Sequence, residues 1–547
     1  MRVQKCFAAQ SALVAGLVLA GLSALGVSPV RAQTPSPAAQ EQIRRISIDD
    51  ALALALENNL DLQVSRITPQ LQDLSVSQVR TSYVPTFNSS IDFNKQTQPP
   101  ASLLAGNATQ INTNTGRYDF GVGALNKWGG TYNASFNNNR TTSNNIFTNF
   151  NPSLSANVSL GYTQPLLRNF TIDGTRQQLL VSQKNREISD VQLQQSIALT
   201  ARNVKNAYYD LMFAIGNLEV QRQSLELAER SLKDNRARVE IGTMAPIDIV
   251  EAEAEVAQRE ESVIVAEAAI SRAEDRLRTL VFSPSAPDFW QLRIEPTDTV
   301  QFRPIAVDAG SAVDNALRQR TDLTTSRKQL ESNDVNIRYF KNQALPDMSA
   351  SVTYFSQAIG GTSFIRGAGF PGPIIGQTQK SYASTLKTMF ASDFPTWTFS
   401  MQVSYPIGYS NPEASLARAR LQDQQSRKQL QSQELQVASQ IRDYARQVQT
   451  NAKRVEATGA SRTLAERRLE AEEKKFQAGM TTSFLVFQAQ RDLNQARNNA
   501  LQALLDYNKS VVDYQAAQEA PLTGSIGTTG LSAGTGTVGS QQQQQPQ

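Results

Sequence analysis

The sequence predicts a mixed α/β chain of two tandem repeats, each with a pair of amphipathic strands and a very long coiled-coil hairpin. The first observation behind this is a duplication. Ala55-Leu56 recurs as Ala316-Leu317, Asp61-Leu62 as Asp322-Leu323, Ser65-Arg66 as Ser326-Arg327 and Pro85 as Pro346, every pair 261 residues apart. Farther on, Pro165 matches Pro406, Val204 matches Ile441 and Gly242 matches Gly479, with the separation falling to 241 and then 237. An ordered series of this kind marks two structural repeats. The second observation is strict alternation: Leu154, Ala156, Val158, Leu160 and Tyr162 interleave with Ser155, Asn157, Ser159, Gly161 and Thr163, and Trp397, Phe399, Met401, Val403 and Tyr405 behave likewise. The third is a pair of proline-free runs, Leu166 to Ala245 and Glu413 to Ala520, carrying apolar residues at every seventh position.

The elements follow in order. Arg2 and Lys5, the apolar run Ala12 to Val27 and the Val30-Arg31-Ala32 site give residues 1–32 the layout of a secretory signal peptide. A single-span anchor is the other reading, but the run is short of the ~20 apolar residues a spanning helix needs. Cys6, the only cysteine, leaves with that segment, and the chain has no histidine. Disulfides, thiolate chemistry, the commonest metal ligand and the commonest general base are thereby removed. The net charge of +4 becomes +1 once Arg2, Lys5 and Arg31 are gone, and charge is dispersed, so no nucleic-acid partner is indicated. No cofactor or metal is expected.

A linker, 33–45, precedes the first repeat, 46–306. Ser47 reads as an N-cap with Asp50 three residues on. The helical pattern runs to about Tyr83, with a kink or restart expected at Pro69, and stops at Pro85. A strand is expected at 86–94. Gln96 to Phe150, rich in Asn, Thr and Gly, reads as a surface excursion containing a hairpin at 118–137 around Gly129-Gly130, which either adds membrane strands or enlarges an extracellular loop. A return strand at 153–165 leads into a coiled-coil hairpin at 168–281. Its register is Ile197, Val204, Leu211, Leu218, Leu225, Leu232 and Val239, then Ile249, Val256, Val263, Ile270 and Leu277. If helical throughout, Leu166 to Gly242 reaches roughly 110 Å.

The second repeat, 307–518, follows the same plan: strands at 348–356 and 396–406, a glycine-bearing loop from Gln357 to Phe394, and a hairpin at 413–518. The last segment, 519–547, with Gln541 to Gln545, reads as a disordered tail. An alternating strand fits either a barrel, with one face to lipid, or a half-buried sheet in a soluble protein. The helices favour the barrel, because a helix of such length is no part of an ordinary globular core. Two strands per repeat cannot close a barrel, so several chains must share one.

This plan resembles the TolC family of outer-membrane efflux proteins. The resemblance rests on Asp50 to Arg66, Ala316 to Arg327, Tyr162-Thr163-Gln164-Pro165-Leu166-Leu167, Tyr405-Pro406-Ile407, and the glycine turns Gly242 to Val250 and Gly479 to Val486. It implies a homotrimer in the cell outer membrane, four strands per protomer in one barrel, and an α-helical tunnel continuing through the periplasm. It also implies a passive exit duct for tripartite efflux or type I secretion. The partners are a periplasmic adaptor (membrane fusion) protein, an inner-membrane pump of the RND or ABC type, and outer-membrane lipid.

The resemblance makes Gly242, Thr243, Met244, Gly479, Met480 and Thr481 adaptor-docking turns, although a glycine after a long helix also serves chain reversal alone. It makes Asp248 and Glu251, which share a helix face, a lumen-facing periplasmic gate. The competing reading is a pair of solvated acids favoured by the helix dipole. The matching offsets from Gly479 hold Leu485 and Gln488, so the second repeat lacks the acids. Pro85, Pro165, Pro346 and Pro406 mark helix–strand junctions. A periplasmic coiled-coil adaptor or structural envelope protein is the alternative function, but two hairpins each preceded by strand pairs favour the channel. No catalytic constellation is legible.

Overall fold

The computed structural model describes residues 43–100, 109–285, 289–299, 301–408 and 410–522. The signal peptide, residues 33–42 of the linker and the tail beyond 522 lie outside the described residues. The chain opens with a short strand, β1 (Ile43–Ile46), and helices α1 (Ile48–Asn58) and α2 (Leu60–Arg80). Ser47 and Asp50 cap α1 reciprocally. The break expected at Pro69 falls instead at Asn59, whose extended backbone (ψ 122°) ends α1 while its side chain accepts the Leu62 N–H to start α2. Pro69 is buried inside α2 without ending it.

Past a helical turn at Thr81–Tyr83 and Pro85, the chain enters β2 (Thr86–Gln98), β3 (Ile111–Leu125), β4 (Thr131–Ser143) and β5 (Phe150–Pro165). The 67-residue α3 (Gly174–Glu240) and the 35-residue α4 (Ile247–Val281) form the first hairpin. Strand β6 (Arg293–Pro296) pairs in parallel with β1, and four-residue strands this short carry no periodicity that sequence could reveal. The second repeat holds α5 (Ala309–Gln319), α6 (Thr321–Gln343), β7 (Asp347–Arg366), β8 (Ile374–Lys380), α7 (Tyr382–Phe390), β9 (Pro395–Ser404), and the hairpin of α8 (Asn411–Gln477) and α9 (Ser483–Glu519). Its α5–α6 break, at Arg320 (ψ 129°), lies 261 residues beyond Asn59, so the duplication seen in sequence is also a duplication of backbone geometry.

The other seven strands form one antiparallel sheet in the order β2-β3-β4-β5-β7, with β8 and β9 both on the free edge of β7. β8 pairs with Gly361–Arg366 and β9 with Asp347–Ser356, so the two share one strand position interrupted by α7. The expectation of four strands per chain is therefore corrected to six strand positions. The extra pair, β3 and β4, lies in the excursion that composition marked as a surface loop. Register rather than apolarity holds it: Thr86 pairs with Gly123, Leu125 with Thr131, and Thr131 with Thr163. The loop expected at 357–394 is likewise the end of β7, then β8 and α7.

Directly paired residues share a face, and one face is apolar across the whole sheet. It carries Phe87, Ile91 and Phe93, then Tyr118, Phe120 and Val122, then Phe136, Val158, Leu160 and Tyr162, and on β9 Trp397, Phe399 and Met401. The other face carries Asn88, Asp92, Arg117, Asp119, Asn137, Asn157, Ser351 and Ser400. Such a dyad is the pattern of a strand between lipid and a wet lumen. Helix α7 lies on the apolar face, where Met389 and Leu386 pack on Ala156, Ala358, Phe136 and Val158.

Below the sheet, α3 packs against α2 in one half and α4 in the other, and α8 does the same with α6 and α9. The heptad positions Val204, Leu211 and Leu218 bury in the first hairpin, and Ile441, Val448, Tyr507 and Tyr514 in the second. Tyr208 is fully buried, and its hydroxyl donates to the Ile46 carbonyl and to Asp298. Burial, aided by the Asp298 carboxylate, raises that phenol well above its ordinary pKa.

Candidate functional site at the hairpin tips

Each long helix ends in a glycine of left-handed backbone, Gly242 (φ +75°) after α3 and Gly479 (φ +71°) after α8. A side chain there costs ~1–2 kcal/mol, which glycine avoids. The closures match. The Gly242 N–H donates to Val239 O and that of Thr243 to Arg238 O, while Gly479 donates to Phe476 O and Met480 to Lys475 O. Nothing lies within 4 Å of where a Cβ would stand on either glycine. The turns are thus open to solvent and dictated by backbone geometry alone.

The two tips sit side by side. The Arg238 guanidinium lies 4.5 Å from the centre of the Phe476 ring, a cation–π contact, and donates to the Phe476 carbonyl. Around them Ile241, Ile247, Val250, Met480 and Phe484 are all exposed. Thr243 is exposed, Met244 and Thr481 half-buried. Asp248, at the start of α4, is half-buried and accepts a 3.2 Å hydrogen bond from the Ser483 hydroxyl, the first residue of α9. Glu251, one turn on, is exposed. The two acids expected to act together therefore differ: one is shared with the second hairpin and one points to solvent.

Two turns beyond Asp248 is a feature sequence reasoning missed. The Glu255 side chain is 2% exposed and lies between two guanidiniums, Arg259 on its own helix at 2.5 Å and Arg491 on α9 at 2.7 Å. Burial pushes the carboxyl upward, but the hydrogen bonds from Arg491 and Arg259 outweigh it and hold the pKa below the usual carboxylate value. Arg491 is held above its own ordinary value by the same bond. Near it Gln490 donates to Ser231 and Asn494 to Gln221, both across to α3. Spacing gave no signal, because Glu255 is one of several acids in EAEAEVAQREE and only the approach of α9 buries it.

At the opposite end of the helices the junction prolines are placed between elements: Pro85 before β2, Pro165 closing β5, Pro346 between α6 and β7, and Pro406 after β9. Beside them Asn342 accepts the Asn169 N–H at 2.7 Å and donates to Thr171, and Arg168 donates to Gln343. This polar knot ties the β5–α3 crossing to the α6–β7 crossing, one from each repeat.

An amphipathic sheet with open edges, continued by two antiparallel coiled-coil hairpins, defines the class: a channel-forming protein of the outer membrane that reaches far into the periplasm. The family model for outer membrane efflux proteins matches residues 131–281 and 312–517, more than half of the chain, and the chain belongs to that family. It is an outer-membrane exit duct for efflux.

Solved structures agree on the fold. The Campylobacter jejuni CmeC outer membrane channel is 15% identical with a TM-score of 0.60, covering 86% of this chain and 85% of its own. The Vibrio cholerae outer membrane protein VceC is 14% identical with a TM-score of 0.59, covering 87% and 97%. The open state of the Neisseria gonorrhoeae MtrE outer membrane channel is 16% identical with a TM-score of 0.58, covering 87% and 89%. No curated protein sequence matches the chain.

Proposed function

We propose that three copies assemble into one conduit, closed at rest by the hairpin tips and opened when they part. The observation that carries this reading is the side-by-side packing of the two tips, linked by Ser483–Asp248, Arg238–Phe476 and Arg491–Glu255. Separation of the hairpins must break these contacts, so they bias the tip toward the closed state.

Asp248 and Glu251 together supply the acidic lining of the narrow end, and threefold repetition gathers six carboxylates there. Leu485 and Gln488 add no charge at the equivalent offsets. The exposed Ile241, Met480 and Phe484, with the turns Gly242–Met244 and Gly479–Thr481, form the face that receives the helical hairpin of a periplasmic adaptor. An inner-membrane pump, of the RND or ABC type, supplies the energy, and the duct itself performs no catalysis. The junction prolines end the helices where the chain turns from tunnel to barrel.

Single-channel conductance in planar bilayers tests the gate, comparing wild type with Asp248→Ala/Glu251→Ala. Small cation-selective openings that enlarge and lose selectivity in the variant are expected. Protein that extracts without detergent and never conducts would overturn the channel and favour a soluble coiled-coil protein.

A further inference from the structure

Building on the threefold assembly above, we infer that this duct closes as an eighteen-stranded barrel, six strand positions from each copy, with β2 of one copy paired to the β9 edge of the next. Among the described residues β2 pairs only with β3, and β9 only with β7. Every residue of β2 and β9 is exposed, although both carry the same apolar face as the rest of the sheet. A hydrocarbon phase cannot hydrogen-bond bare backbone N–H and C=O groups, each of which costs several kcal/mol there. Both edges must therefore be covered, and among the described residues of one chain nothing pairs with them.

A second copy fits on three counts. Six positions is an even number, so β2 and β9 run in opposite directions and meet antiparallel, as the other strands do. β2 starts one residue after Pro85 and β9 ends two before Pro406, so both edges begin at the same, helical end of the sheet. With Thr86 set opposite Ser404, Ser90 meets Ser400 and Asp92 meets Thr398 on the polar face, and Ile91 meets Phe399 on the apolar face. Pairing in that register keeps every side chain on its own side, which a one-residue slip would not.

The β3–β4 pair makes the difference from four strands per copy. The 15-residue β3 and 13-residue β4 span the sheet fully between β2 and β5. Their turn is pinned at the helical end: Gln164 donates to the Trp128 carbonyl, and a Cβ on Gly129 (φ +83°) would stand 2.7 Å from Asn169 O. With strands ~4.8 Å apart and tilted ~40°, eighteen give a backbone diameter of roughly 36 Å, against roughly 24 Å for twelve. After about 5 Å of side chain on each wall the bore is roughly 26 Å rather than 14 Å, the range in which porins keep an open aqueous channel. The barrel then sets no sieve for bulky cargo, and selection falls to the periplasmic tips.

Cysteine pairs test the closure, because Cys6 is the only native cysteine and lies in the expected signal peptide. Ser90→Cys/Ser400→Cys, and independently Asp92→Cys/Thr398→Cys, are treated in membranes with a short bifunctional thiol reagent. Dimer and trimer bands on a denaturing gel are expected from each double variant, none above trimer, and none from the single variants. Position of the added hairpin is read from Asp119→Cys and Phe120→Cys. A water-soluble maleimide should label the first in intact membranes and the second only after detergent extraction.

A stable trimer without cross-linked bands, bands above trimer, or equal labelling of the two single cysteines would overturn the eighteen-stranded barrel while leaving the duct intact. Failure of wild type to form a trimer would instead overturn the proposed assembly.

Discussion

Removing Arg491 should loosen the two hairpins at their tips and make the contact more sensitive to acid. In Arg491→Ala, Glu255 loses the donors at 3.1 and 2.7 Å and keeps only Arg259. A hydrogen bond to a charged group contributes about 1.5–3 kcal/mol. The lower part of that range applies, because the Arg491 side chain is 47% exposed and water replaces part of what is lost. The equilibrium between joined and parted tips should shift by roughly ten- to thirtyfold at 1.36 kcal/mol per decade.

The pH dependence carries a sign. The Glu255 carboxyl is lowered in the fold, so its contribution is present above the ordinary carboxylate pKa and is lost as pH falls through the lowered value. In the wild type this contact should therefore be lost only once pH falls below the ordinary carboxylate range, through the lowered value of Glu255. In Arg491→Ala the opposing burial is less compensated, and the transition should move to higher pH.

Spin labels at Ala257→Cys on α4 and Gln495→Cys on α9, both exposed, report the separation by pulsed electron resonance. One short distance is expected in wild type, a second longer population in Arg491→Ala, and partial recovery in Arg491→Lys. A distance distribution and acid midpoint unchanged by Arg491→Ala would refute the reasoning.

Gly242→Ala or Gly479→Ala should each destabilise by about 1–2 kcal/mol and no more, since the sites are strained only in backbone and have empty space around them; denaturant titration of helical circular dichroism checks this. Leu211→Ala, at a fully buried heptad position, should cost about 2–5 kcal/mol by the same measurement. Asn59→Ala removes the cap of α2 and the bond to Leu280 O, and should cost about 1–2 kcal/mol. Trp397 lies on the apolar face of β9, so with Trp128 and Trp290 changed to Phe its fluorescence should be quenched by brominated lipid.

The sequence alone was sufficient for features whose cause is local. Heptads such as Val204-Leu211-Leu218 place a helix and its buried stripe because 3.6 residues per turn bring those positions onto one side. The alternation at Leu154 to Tyr162 places a strand because successive side chains oppose each other. The 261-residue recurrence revealed the second copy, and the glycines at 242 and 479 marked turns that need left-handed backbone. Other features depend on partners distant in the chain.

The Asn- and Thr-rich stretch at 111–143 is weak in apolar signal and becomes two strands because β2 and β5 offer it hydrogen-bonding edges on both sides. Parallel β1 and β6, more than two hundred residues apart, are too short to announce themselves. Asn59 rather than Pro69 breaks the first helix, because its side chain caps α2 and also reaches the end of α4. Glu255 differs from the acids around it only through Arg491, which the fold of the second repeat carries to it. Periodicity is a property of neighbours in the chain, while register, capping across elements and the burial of one charge among many belong to the tertiary structure.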